Sequence, residues 1–152
     1  MYQKVNECEP YNTCFYSSFV FIINVLVAFY YGYYLYAGLF FALLITSILH
    51  HSHYTPTTNI LDKIAIYCIV FYGGYLFYKK LQEYINSKND FIAKQYILSA
   101  TILITFLSTI VLYYYGYLNT CLCFSEDQLQ ANLFHSFMHC VGSFGHCCIV
   151  FL

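Results

Sequence analysis

The chain has 152 residues, of which 61% are hydrophobic and only 9% charged, with a formal net charge of −1. An average soluble domain carries roughly 25% charged residues, and a body of this size cannot hide so much apolar side chain from water, so the composition excludes an ordinary soluble globule and indicates a membrane protein. The near-neutral charge and the absence of arginine give no electrostatic reason to expect a nucleic-acid partner.

The first fourteen residues, MYQKVNECEPYNTC, are polar. The apolar run behind them is too long for the h-region of a signal peptide, so no removable leader is expected. A membrane helix needs about 20 mostly apolar residues. The first two such segments cover 15–33 and 36–53 and share one run, Glu9 to Asp62, with no Asp, Glu, Lys or Arg between its ends. The Gly/Tyr-rich stretch YYGYYLYAG divides them, because an unbroken helix of that length would overshoot the bilayer. The next loop, YTPTTNI, is marked by Pro56. Asn59 is expected to cap the third helix, 61–79, with Asp62 in its first turn. The strongly charged stretch KKLQEYINSKND leads to a fourth helix, 95–117, and a fifth follows at 132–152. Nineteen Tyr and fifteen Phe stand in a chain without Trp, and tyrosines at segment ends, as in FYYGYYLY, suit a membrane–water interface. With no internal repeat or low-complexity linker, residues 1–152 read as one all-α transmembrane domain of about five helices.

Lysine placement sets the expected topology. Lys79, Lys80, Lys88 and Lys94 flank or occupy the loop between helices 3 and 4, whereas the other side carries Lys4 and Lys63 with Glu7, Glu9, Glu126 and Asp127. The positive-inside rule puts the lysine loop and the C-terminus in the cytosol and the N-terminus in the lumen or outside. Cys8, Cys14, Cys121 and Cys123 then fall on the oxidising side, where a bridge between the N-terminal segment and the loop after helix 4 is open to them, although sequence does not fix the pairing. Cys68, Cys140, Cys147 and Cys148 read as small apolar fillers within helices.

The polar residues of the greasy segments are concentrated. Ser47 and His51 are four apart on helix 2 and so share a face. Asp62 begins helix 3, and His135 and His139, again four apart in FHSFMHC, lie near the start of helix 5. With five helices, the end of helix 2 and the starts of helices 3 and 5 lie on the same side of the membrane. Three imidazoles with an open fourth position are the ligand set of a catalytic zinc ion, which makes water acidic and polarises a carbonyl. Asp62 is suited to hold and deprotonate the water, and Ser47 to orient it or to hydrogen-bond a developing oxyanion. Plainer roles compete: Asp62 as a helix-start charge, Ser47 as a packing serine, the histidines as interhelical hydrogen-bonding groups. His50 competes with His51, since either can face the bundle. Cys121-x-Cys123 with His135 and His139 is one residue too short at its cysteines for a zinc finger and lacks the basic residues that contact phosphate.

The pattern Ser47-xxx-His51, Asp62 eleven residues later, and His135-xxx-His139 on the last helix resembles the alkaline ceramidases. These belong to a superfamily of membrane zinc hydrolases that also holds the adiponectin and progestin receptors and GPI-lipid-remodelling hydrolases. ILDKIAIY resembles the family's stretch around its Asp, and HSFMHCVGSFGHCCIVF, with Gly142-Ser143-Phe144, its last helix. The resemblance selects His51 over His50. It implies an intramembrane zinc amidase of the endoplasmic reticulum, Golgi or another endomembrane that splits ceramide into a sphingoid base and a fatty acid. His51, His135 and His139 are then the Zn2+ ligands, with Asp62 and Ser47 acting on water and intermediate. It also implies a lumenal N-terminus, a cytosolic C-terminus and a Ca2+ site for which Glu7, Glu9 and Asn12 are the nearest candidates. The family has seven helices where this chain has five, which narrows the lipid cavity and makes an oligomer one way to complete it. An ester-cleaving lipid hydrolase, a receptor-like relative and a non-catalytic multi-pass protein are the alternatives.

Overall fold

In the computed structural model, residues 13–86 and 93–152 are described. They form α1 (Thr13–Ser18), α2 (Phe21–Tyr30), α3 (Tyr34–Ser52), α4 (Pro56–Asn86), α5 (Ala93–Ile110), α6 (Gly116–Asn119) and α7 (Gln128–Phe151), with no strand among the described residues. Five stretches are long and apolar enough to cross a membrane: Thr13–Tyr30, Tyr34–Ser52, Pro56–Asn86, Ala93–Asn119 and Gln128–Phe151. Helix number and order agree with the sequence reading, and the differences are local.

The first expected helix is two. Around Phe19 and Val20 the backbone tightens into i→i+3 bonds (Phe19 N to Tyr16 O, 3.2 Å; Val20 N to Ser17 O, 3.1 Å), which offsets α1 from α2. The chain reverses between α2 and α3 at Gly32, whose φ of 80° is a conformation that suits glycine. The third helix starts five residues earlier than expected, at Pro56. Proline is pre-set for the first helical position, and Thr55 and Thr58 cap each other reciprocally (Thr58 N to Thr55 Oγ1, 3.0 Å; Thr55 N to Thr58 Oγ1, 2.9 Å). Asn59 is therefore inside the helix rather than at its cap, and Asp62 falls in the second turn, not the first. The fourth span loosens into a π turn at Val111–Tyr115 before α6. The last helix begins at Gln128 because Asp127 caps it, accepting from Leu129 N at 2.9 Å and Gln130 N at 3.4 Å.

The packing is read from helical stripes. On α3 the buried residues Tyr36, Phe40, Leu43, Leu44 and Ser47 recur at spacings of three and four. On α4 the stripe is Asp62, Ala65, Ile69, Gly73 and Leu76. α3 packs against α2 and α4, α7 against α5, α2 and α1, and α1 also touches α3. The outward faces are large and apolar: Phe71 is 75% exposed and Leu118 79%. At one end of the bundle Lys80 Nζ donates to Val150 O at 2.7 Å and Tyr84 Oη to Leu152 O at 2.8 Å, tying α4 to the C-terminus of α7. At the other end Lys63 Nζ lies 4.4 Å from the centre of the Tyr113 ring.

Candidate metal centre

The stripes carry the polar residues inward along with the apolar ones. His51 is one turn beyond Ser47 on α3, at the end of the row that buries Tyr36 and Phe40. His139 and Ser143 are four apart and both buried on α7, with His135 one turn earlier. The contacts of α1 with both α3 and α7 close the layer. One nitrogen from each of His51, His135 and His139 lies within 4.8 Å of the other two. The ring centres are 5.0 Å apart for His51 and His135, 5.3 Å for His51 and His139, and 4.8 Å for His135 and His139.

Four-coordinate zinc with Zn–N near 2.05 Å needs nitrogens about 3.3 Å apart, closer than the 4.8 Å within which these lie. Among the described residues no cysteine or carboxylate belongs to the cluster, so three neutral donors would leave a fourth position open. Three imidazoles are a donor set of the kind that zinc takes.

His50 is not part of this group. Its ring lies against His51 (4.9 Å) and Tyr54 (5.3 Å). His53 is exposed at the end of α3. His146 lies five turns into α7, where its Nδ1 pairs with Tyr36 Oη. Cys121 and Cys123 also stand outside the cluster, which removes the zinc-finger arrangement.

Asp62 is buried, 5% exposed, on the face of α4 turned to α3, and accepts a bond from Thr46 Oγ1 at 3.4 Å. Ser47, the neighbour of Thr46, is 1% exposed. Its hydroxyl is 2.9 Å from Ser18 Oγ, and Ser18 in turn donates to the carbonyl of Cys14 at 2.8 Å. Ser17 Oγ lies 2.8 Å from His139 Nδ1 and 3.0 Å from the same Cys14 carbonyl. Sequence reasoning did not identify Ser17, Ser18 or Thr46. The signal available was two adjacent hydroxyls in TCFYSS, within a run otherwise apolar and without charge.

The cysteines take other parts than a bridge. Cys14, Cys121 and Cys123 are free thiols, and Cys14 Sγ donates to Asn132 O on α7 at 3.4 Å. Burial pushes the Cys123 thiol up to about 11, which keeps it protonated. Cys8, and the Ca2+ candidates Glu7, Glu9 and Asn12, lie outside the described residues. Of the four cysteines expected to fill space, Cys148 is in the core and Cys147 accepts from Asn24 Nδ2 at 3.2 Å, but Cys68 and Cys140 are on the outer surface. No family model, no curated protein and no solved structure matches the chain.

Proposed function

We propose that the chain is a zinc-dependent hydrolase embedded in a membrane, acting on the amide bond of a ceramide-like lipid. The observation that carries this reading is the meeting of His51, His135 and His139, drawn from two helices far apart in sequence, with nitrogens within 4.8 Å of one another. The substrate class rests on the apolar outer faces of the helices that hold the site, which suit a lipid environment, and on the resemblance of its motifs to ceramidases. His51, His135 and His139 would hold a zinc ion there, which would supply Lewis-acid polarisation of a carbonyl and an acidic water.

The chain's own groups supply the rest. Asp62 is aimed from α4 toward α3 and acts as the base that takes a proton from the attacking water and returns it to the leaving nitrogen, so that amide and water give amine and carboxylic acid. Ser18 spends its one proton on the Cys14 carbonyl, so the bond between Ser18 and Ser47 is donated by Ser47. Ser47 then presents lone pairs, which favours its role as a water-orienting acceptor over that of an oxyanion donor.

Orientation follows from charge. Lys79 and Lys80 lie toward the end of α4 that meets the C-terminus, and Lys94 opens α5 at that end, so we place this end in the cytosol and the histidine layer toward the lumen of an endomembrane.

Zinc content of detergent-purified protein, measured beside a variant with His51, His135 and His139 all changed to Ala, tests the site. About one zinc per chain in the parent and none in the variant is expected for a closed set of three ligands. A folded parent that takes up no zinc when zinc is supplied rules the hydrolase reading out. Release of fatty acid from ceramide, but not from an ester-linked lipid of the same chain length, tests the amide assignment.

A further inference from the structure

Two serines on one turn of α1 share one acceptor. Ser17 Oγ is 3.0 Å and Ser18 Oγ 2.8 Å from the carbonyl oxygen of Cys14. A carbonyl only accepts, so each contact is a hydrogen bond only when the serine donates, and each serine has one proton. Ser17 also lies 2.8 Å from His139 Nδ1. Both of its contacts are hydrogen bonds at once in a single arrangement, with His139 Nδ1–H donating to Ser17 Oγ and Ser17 donating to Cys14.

We propose that Ser17 is a positioning residue which, backed by the Cys14 carbonyl, holds His139 in its Nδ1–H tautomer and leaves the Nε2 lone pair for a metal ion. The inference rests on the zinc reading for its purpose, but the tautomer is a property of the chain alone. The opposite polarity, Ser17 donating to Nδ1, would put the remaining proton on Nε2 and block ligation until that proton is lost. A hydroxyl in this place takes the part that carboxylates and backbone carbonyls usually play behind metal-bound histidines. Burial strengthens the constraint, because His139 is 8% exposed and water does not readily replace Ser17.

The test uses the full chain, labelled with 15N-histidine in detergent and free of metal, with the His139 signals assigned from a His139→Asn variant. The expected spectrum has a protonated Nδ1 and a bare Nε2 at His139, and Ser17→Ala loses that preference. A parent in which Nε2 carries the proton overturns the proposal. Zinc affinity, read by competition with a chelator, is expected to fall about 10–100-fold in Ser17→Ala and to return to within a few-fold in Ser17→Thr, which keeps the hydroxyl. Equal affinity of Ser17→Ala and a zinc-binding parent also overturns it. A parent that binds no zinc removes the proposed function, and the tautomer measurement then decides this inference by itself.

Discussion

Tyr36 Oη hydrogen-bonds His146 Nδ1 across the bundle, joining the start of α3 to the C-terminal part of α7, away from the three histidines of the candidate metal centre. Tyr36 is fully buried, and its ring also packs on Phe40 (4.9 Å) and Tyr72 (5.4 Å). Removing one partner leaves the other polar group stranded in an apolar interior. Tyr36→Phe is expected to cost about 1–3 kcal/mol, and the double variant Tyr36→Phe/His146→Leu less than the sum of the single changes. Denaturation of the four proteins of this cycle in a mild detergent reads the coupling, and strict additivity would dismiss the hydrogen bond as a source of stability. Zinc content is expected to stay unchanged in all four.

Gly73 and Gly74 are adjacent on α4 and should behave oppositely. A Cβ on Gly73 would stand 2.8 Å from Tyr36 Oη and 2.9 Å from the His146 ring, both held by the bond between them, whereas a Cβ on Gly74 meets nothing within 4 Å. Gly73→Ala is expected to destabilise by about 1–3 kcal/mol through overpacking. Gly74→Ala should be neutral or slightly stabilising, as alanine is the better helix former. Thermal denaturation of the two variants side by side makes the comparison, and equal midpoints would contradict the close approach of α3, α4 and α7 at Gly73.

The five apolar spans were legible because length and composition decide them, and His135 and His139 because a spacing of four on a helix keeps residues on one face, whereas only the resemblance to ceramidases separated His51 from His50. The stripe Tyr36–Phe40–Ser47 also obeys that rule, but in a chain whose outer faces are as apolar as its core, periodicity does not separate inside from outside. Cys68 and Cys140 illustrate this: they are apolar, helical and exposed. α4 starts before the point that Asn59 and the apolar run behind it suggest, because Thr55 and Thr58 cap each other at Pro56. The roles of Ser17 and Ser18 depend on contacts more than a hundred positions away, to His139, and 29 away, to Ser47, which local pattern does not contain.

Ser18 and Ser47 are expected to act as a unit. With Ser18 donating to Cys14, Ser47 has to donate to Ser18, and loss of Ser18 frees the Ser47 hydroxyl to rotate. Ser18→Ala should lower turnover about tenfold, the equivalent of roughly 1.4 kcal/mol in the barrier, with little change in KM. In a Ser47→Ala background Ser18→Ala should add nothing further, since the hydroxyl that it would release is already gone. Full multiplicative losses in the double variant would show that the two serines act independently and that Ser47 is not set by Ser18.

Asp62 separates metal binding from chemistry. It is buried beside Thr46 and outside the cluster of three nitrogens, and the proposed function gives its carboxylate proton transfer rather than ligation. Asp62→Ala and Asp62→Asn are both expected to keep most of the zinc while losing turnover by at least about 10²-fold, the usual contribution of a positioned general base. Thr46→Val, which removes the donor on Asp62 Oδ1 but leaves the carboxylate, should cost far less. Zinc content and fatty-acid release measured on the same three preparations distinguish the possibilities. Joint loss of zinc and activity in Asp62→Asn would make the carboxylate a ligand, and turnover equal to the parent would take Asp62 out of the reaction.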